Sequence, residues 1–500
     1  MTEFLIANMA PIIFISMVAF LLVGYPVAFA LAANGVVFGL LGIELGLIGP
    51  QIFQAMPDRI YSVMANETLL AVPFFTFMGL ILERSGMAED MLDTIGQLFG
   101  SVRGGLAYAV IFVGALLAAT TGVVAASVIS MGLISLPIML RYGYDTRIAT
   151  GVIAASGTLA QIIPPSLVLI VLADQLGTSV GDMYAGAMAP GLLLCLFYAI
   201  FIFLVTLFKP QWAPALPPEA RTLRGLQLAK RVVLVMIPPL LLIFLVLGTI
   251  FLGIATPTEG GAMGAVGAII LALMNKRLDM KLLQQAMDST VKLSTFVVFI
   301  LIGARVFRIA FLGVNGDQWV EHLLTSLPGG ATGFLIVVNI MVFFLAFFLD
   351  FFEIAFILVP LLAPVAHSLD INLIWFGVIL GVNMQTSFMH PPFGFALFYL
   401  RSVAPKEVKS TDIYWGAVPY VLIQIVMVGL LIAFPKLVTG SLHEEVKTNA
   451  DDAAAIMQQM NATPSAELPA EIPAADASAA NASAPAANQS DDLLKELTGQ

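Results

Sequence analysis

Long apolar stretches separated by short polar ones fill the chain up to about residue 440. Runs such as 232–251 show no alternation of apolar and polar positions. They predict helices of about 20 residues, one bilayer crossing each, and not the short alternating strands of a membrane barrel. The apolar runs leave room for roughly ten such helices plus re-entrant pieces. Residues 105–140 are flanked by Arg103 on one side and by Arg141 and Arg147 on the other. A single crossing would put arginine on both membrane faces. A hairpin turning back at Ala119-Thr120-Thr121-Gly122 keeps all three on one face, and small or hydroxylated residues suit irregular backbone at membrane depth. Residues 331–366 are similar in length and turn near Leu349-Asp350-Phe351. They lack basic flanks, which predicts a hairpin entering from the opposite face.

Lys and Arg mark the cytoplasmic side. Lys209, Arg221, Arg224, Lys230 and Arg231 form one cluster, and Lys276, Arg277 and Lys281 a second. Two predicted helices, 232–253 and 258–275, separate them, so both clusters fall on the same face. Arg401, Lys406 and Lys409 form a third, while 173–188 and 366–372 hold no Lys or Arg and suit the outside. Pro137 and Pro364 are 227 residues apart, as are Pro164-Pro165 and Pro391-Pro392. Gly181-Asp-Met-Tyr-Ala-Gly-Ala returns as Thr411-Asp-Ile-Tyr-Trp-Gly-Ala. One unit is therefore used twice: three helices, a hairpin, a helix broken near the double proline (about 148–172, then about 373–400) and a final helix. Five crossings per unit is an odd number, so the second copy is inverted. The predicted fold is an all-α polytopic membrane protein with residues 1–208 as first repeat, 209–231 as cytoplasmic linker, 232–438 as second repeat and 439–500 as a tail. Paired discontinuous helices in inverted repeats belong to secondary transporters, with binding at the midplane.

Composition agrees: 59% of the 500 residues are hydrophobic and 11% charged, against about a quarter charged in soluble domains. The net charge of −10 sits mostly in 441–500, whose ten Asp or Glu and two Lys supply −8. The membrane body is near neutral, and no nucleic-acid-binding surface is implied. The Ala, Pro, Asn, Ser and Asp-rich tail lacks the apolar content to offset ordering entropy and is expected to be disordered. Residues 4–23 have no Lys or Arg before them and read as a retained helix, not a signal peptide. The single cysteine, Cys195, sits in an apolar run as a packing residue. Without a catalytic triad, zinc spacing or Gly-Lys-Ser/Thr loop, the chain reads as no enzyme and uses no ATP itself.

The motifs Ala-Ala-Ser-Gly-Thr-Leu-Ala-Gln-Ile-Ile-Pro-Pro-Ser at 154–166, Ala-Thr-Pro-Thr-Glu-Gly-Gly-Ala at 255–262 and Asn-Met-Gln-Thr-Ser-Phe-Met-His-Pro-Pro-Phe-Gly at 383–394 carry a family resemblance. Arg-Tyr-Gly-Tyr-Asp at 141–145 and Tyr-Ala-Gly-Ala-Met-Ala-Pro-Gly at 184–191 add to it. Over about residues 5–435 the sequence resembles the large membrane subunit of tripartite ATP-independent periplasmic (TRAP) transporters. The resemblance implies an elevator-type symporter of the bacterial inner membrane, working with a small four-helix membrane subunit and a periplasmic solute-binding protein. It implies uptake of an organic carboxylate with Na+, two ions per cycle; within the family, the stretch 383–401 looks like the branch for mannitol-or-chloroaromatic-type and 2-oxo-acid or other monocarboxylate substrates. One ion is expected near Thr121, Ala160, Ile163 and Pro165, and the other near Ala346, Ser387, His390 and Phe393, with Asp350 beside it. Substrate is expected against Thr120, Thr121, Gly122, Gly157, Thr158, Asn383, Gln385 and Thr386. Where the family often has Ser-Gly-Ser-Ser at the first tip, this chain has Thr121-Gly122-Val123-Val124, and His390 stands where Thr often precedes the second double proline. A self-sufficient sodium/carboxylate symporter needing no binding protein is the alternative.

Several residues keep two readings. The double prolines supply no amide donor, which frees carbonyls for a cation or merely kinks packed helices. Asp350 either steadies a cation or caps a hairpin tip. Glu259 follows Pro257 as a first-turn acid at a helix start. Arg305 and Arg308 either snorkel or meet substrate, and His390 either relays protons or bonds within the helix break.

Overall fold

The computed structural model describes residues 2–121, 124–392 and 394–442, apart from the side chains of Leu22, Thr120 and Thr121. The acidic tail from residue 443 onward lies outside the described residues. Every regular element among the described residues is helical. Seven helices are long and apolar enough to cross a membrane, or ten when each bent pair counts as one span.

Helices occupy both stretches where hairpins were expected. The first hairpin has arms Gly105–Thr121 and Val124–Arg141. The second has an inbound arm Gly330–Leu345 and a return arm split into Phe351–Ile357 and Val359–Ser368. Each hairpin is followed by a broken helix: Thr146–Thr158 with Leu167–Leu176, then Leu373–Gln385 with Phe395–Val403. The starts of the two broken helices are built alike. Asp145 accepts the amides of Arg147 (2.9 Å) and Ile148 (3.4 Å), and Asn372, which lies 227 residues on, accepts that of Trp375 (2.9 Å). A capping side chain fixes where a helix begins at about 1 kcal/mol. Val180–Phe208 and Ser410–Ala433 close the two repeats.

Outside this bundle, helices from the two repeats pair across each other. Val27–Glu44 runs along Met280–Gly313, and Ala71–Arg84 along Pro257–Met274. The first pair is held at backbone distance by two glycines. A Cβ on Gly35 would lie 2.6 Å from the Val306 carbonyl oxygen, and one on Gly303 would lie 2.4 Å from that of Ala28. Small residues let membrane helices touch this closely. Glu259 completes a capping box: the Thr256 hydroxyl accepts its amide (3.2 Å), and its carboxylate accepts the Thr256 amide (2.8 Å).

The charge sorting has a direct structural counterpart. Arg231 pairs with Asp93 at 2.8 Å and Arg277 with Asp90 at 2.9 Å. Both acids sit on the short helix Met87–Phe99, so the two basic clusters meet at one face. That helix, like Gly316–Thr325 in the second repeat, adds to the count of three helices before each hairpin. Its acidic face interrupts the apolar run, although Met91, Leu92 and Ile95 are buried. The repeats also differ in their third span. It is bent by 46° between Pro50–Met64 and Thr68–Arg84, but is one 34-residue helix at Met280–Gly313.

Candidate functional site

Both broken helices fail for the same reason. An α-helix would aim the amides of residues 164 and 165 at the carbonyls of Ala160 and Gln161, but both residues are proline and have no amide hydrogen. The Ser166 hydroxyl fills one gap by donating to the Gln161 carbonyl at 2.5 Å, and its oxygen accepts the Leu169 amide at 3.4 Å to start the second half-helix. In the second repeat Pro391 and Pro392 likewise leave the carbonyls of Ser387 and Phe388 without helical donors. Here Gly394 donates to the His390 carbonyl (2.6 Å), and the Ser387 hydroxyl donates to the Met384 carbonyl (2.6 Å). Both Pro-Pro bonds are cis. At the first break the Ala160 carbonyl, near Ile163 and Pro165, is left without its helical donor. The second adds the Ser387 hydroxyl, because residue 387 is the counterpart of Ala160, 227 positions earlier.

The expected site residues separate into groups. Thr158 and Gln385 occupy equivalent positions in the two repeats and bond to each other, the Gln385 amide donating to the Thr158 hydroxyl at 3.0 Å. The pseudo-twofold axis therefore passes between the two broken helices here. Gly157 meets the first hairpin, and a Cβ there would lie 2.3 Å from Val128 Cγ2. Asn383 donates to both the carbonyl and the side-chain oxygen of Asn339 (2.8 and 2.9 Å), and Thr386 donates to the Asn383 carbonyl (2.6 Å). These groups tie the second broken helix to the second hairpin. Replacing Asn383 with Leu strands the buried side-chain oxygen of Asn339, whose amide keeps its bond to the Leu335 carbonyl, at a cost of about 1–3 kcal/mol. The expected readout is a lower thermal midpoint and faster proteolysis between 345 and 351; an unchanged midpoint would show that the pair does not hold the hairpin.

His390 is buried, its ring 4.4 Å from that of Phe343 and 4.1 Å from that of Phe347, with the Ala346 carbonyl close by. Ala346 and His390 are thus brought together. Asp350 takes the capping form: its carboxylate accepts the Glu353 amide (2.9 Å), and Glu353 returns the bond to the Asp350 amide (3.0 Å). Gly122 and Phe393 lie outside the described residues. Arg305 and Arg308 lie elsewhere, sharing a separate cavity of about 460 Å3 with Arg59.

A cavity of about 240 Å3 opens between the two hairpin tips. Its walls include Val124 and Ala125 from the first tip and Asp350, Phe351 and Phe352 from the second. Gln161 and Val168 come from the first broken helix, and Phe388, Phe395 and Tyr399 from the second. None of Gly157, Thr158, Asn383, Gln385 or Thr386 lines it. Gln161, which the sequence reading did not single out, does line it. It is 1% exposed, and neither its amide nitrogen nor its oxygen has a hydrogen-bond partner among the described residues. A buried side-chain amide left unpaired is costly, so this one is suited to meet a ligand. Among the described residues, three helices begin at this cavity, at Leu167, Phe351 and Phe395. Helix starts carry partial positive charge and exposed amide donors. The arrangement can hold an anion without a charged side chain.

The chain was compared with known proteins. The family model described as "Tripartite ATP-independent periplasmic transporter, DctM component" matches residues 14–437. A C4-dicarboxylate TRAP transporter large permease protein of Pseudomonas aeruginosa is 32% identical over 391 residues, covering 78% of this chain and 89% of that protein. The sialic acid TRAP transporter large permease protein of Vibrio cholerae is 25% identical, with 83% and 94% covered. Among solved structures, the YdaH transporter of Alcanivorax borkumensis superposes with a TM-score of 0.57 at 16% identity, covering 81% of this chain and 98% of that one. That likeness concerns the fold.

Proposed function

The chain belongs to the tripartite ATP-independent periplasmic transporter family as a DctM component, a large permease subunit, and on that premise we propose that it takes up an organic carboxylate with sodium across the bacterial inner membrane. The observation that carries this reading is the cavity between the hairpin tips, where helix starts from both repeats meet the unpaired Gln161 amide. Relatives named for C4-dicarboxylates and for sialic acid both carry acids, which supports an anionic cargo. A soluble periplasmic binding protein delivers the substrate, and a small four-helix membrane subunit completes the assembly. Two sodium ions bind as co-substrates, one against the carbonyls freed at Pro164-Pro165 and one near Ala346, Ser387 and His390. Sodium is held by neutral oxygens in such breaks, so the absence of an acidic cluster among the described residues is compatible with it. Filling both sites orders both tips and offsets the anion's charge.

In this reading the hairpins and broken helices move together against the outer helices. Among the described residues, two side-chain hydrogen bonds tie that bundle to the segments that precede the first hairpin: the Ser130 hydroxyl donates to Glu83 at 2.8 Å, and Asn66 donates to Asp174 at 2.6 Å. Both would break in a moving bundle. Cysteines at positions 83 and 130, in a background lacking Cys195, are expected to cross-link under oxidation and arrest transport, with recovery on reduction. Full transport by the cross-linked protein would reject the movement. The whole reading is tested by uptake of a labelled carboxylate into proteoliposomes with each protein component and sodium omitted in turn. Robust uptake by this chain alone would instead favour a self-sufficient carrier.

A further inference from the structure

The cavity between the tips is built from symmetry-related positions that do not carry equivalent chemistry. Ala125 and Phe352, Gln161 and Phe388, and Val168 and Phe395 are each 227 residues apart, and all six line it. At each pair the first repeat supplies a small or amide side chain and the second a phenyl ring. Two halves that began alike now present an aliphatic wall with one amide, Gln161, and an aromatic wall to the same space. Among the described residues, Asp350 is the only carboxylate in the lining and stands on the aromatic side, and no Lys or Arg lines the cavity.

We infer that this cavity selects a carboxylate with a single negative end and a compact apolar or aromatic body, and fixes which way round it lies. This rests on the carboxylate-uptake reading and narrows its substrate. The carboxylate goes to the first repeat, where the unpaired Gln161 amide, replaced by Phe388 in the second repeat, supplies the donors. The body lies against Phe352, Phe388 and Phe395, where burying carbon is favourable and rings stack or meet edge-on. A second carboxylate would have to lie at the aromatic end, desolvated against phenyl faces and beside Asp350, which is unfavourable on both counts. A polyhydroxylated body would leave several hydroxyls against carbon with one tyrosine, Tyr399, to answer them. Rejection of a group that leaves polar atoms unpaired is far stronger than rejection of a missing methylene.

The test places a cysteine at Ala125 in a Cys195-free chain, co-purified with its small membrane subunit in sodium buffer. Alkylation of that cysteine is followed in the presence of phenylacetate, 4-methyl-2-oxopentanoate, succinate or N-acetylneuraminate. The two apolar monocarboxylates are expected to protect at concentrations at least about tenfold below the other two. Phe352→Ala should weaken protection by phenylacetate about tenfold, and Gln161→Leu should remove protection by all four. Phe395→Leu is the second variant where Phe352→Ala fails to fold. Equal or better protection by succinate or N-acetylneuraminate, phenylacetate protection unchanged by the aromatic substitutions, or no protection by any acid would each overturn the inference. Uptake that still needs sodium and the binding protein would leave the broader function standing in every one of those cases.

Discussion

Omitting the periplasmic binding protein from a reconstituted system will cut uptake of a dilute carboxylate by about 10²- to 10³-fold, with the chain, its small membrane partner and a sodium gradient all in place. The reason lies in what the cavity offers. Among the described residues its lining has one free amide and helix starts but no guanidinium or ammonium group. Such a site holds an anion weakly, with a dissociation constant on the order of 1 mM. At ~1 µM free substrate it would be filled about once in a thousand encounters. A docked binding protein releases its ligand at an effective concentration of ~1 mM, which raises occupancy to about one half. Raising free substrate to millimolar levels should therefore restore uptake partly without the binding protein. If uptake at micromolar substrate is unchanged when the binding protein is left out, delivery is not part of this transporter's cycle.

The architecture was legible because a membrane leaves few options and the residues that choose among them are local. Arg103 and Arg141 on one side required a hairpin, and the arms Gly105–Thr121 and Val124–Arg141 are that hairpin. Consecutive prolines remove two amide donors wherever they occur, so the helix breaks at 164 and 391 could be read directly. Asp350 was harder: its two readings differ only in what its oxygens touch, and the bonds to Glu353 appear only once the turn is folded. Asn383 was placed near substrate, but its amide ties to Asn339, 44 residues earlier, across two helices that no local pattern aligns. Gln161 was missed, although a signal existed. Laying the repeats in register at 227 sets Gln161 opposite Phe388 and Ala125 opposite Phe352, and those unlike pairs mark the cavity. The amphipathic helices Met87–Phe99 and Gly316–Thr325 were missed because a search for continuous apolar runs passes over a helix with one wet face.

Replacing sodium by potassium on both sides should abolish uptake, and an inside-negative potential should enhance it steeply. With two sodium ions and a monoanion, one net positive charge crosses per cycle. A potential of 100 mV is then worth about 2.3 kcal/mol, close to fifty-fold in accumulation. Electroneutral transport would reject that stoichiometry. The residue that reports on the second ion is Ser387. It is 3% exposed at the break where two prolines remove helical donors, and its hydroxyl donates to the Met384 carbonyl. The proton is committed there, so the oxygen faces its surroundings as an acceptor, which is what a cation needs. Ser387→Ala removes that oxygen without adding volume, while Ser387→Thr keeps it. Loss of one such ligand is worth about 1–2 kcal/mol, so the alanine variant should need roughly five- to thirty-fold more sodium for half-maximal uptake, and the threonine variant should recover. Asn383→Leu, which loosens the same hairpin without touching a proposed ion ligand, should lower the thermal midpoint more than it shifts sodium activation. An alanine variant with normal yield and unchanged sodium activation would remove Ser387 from the ion path and leave the backbone carbonyls as the donors to examine.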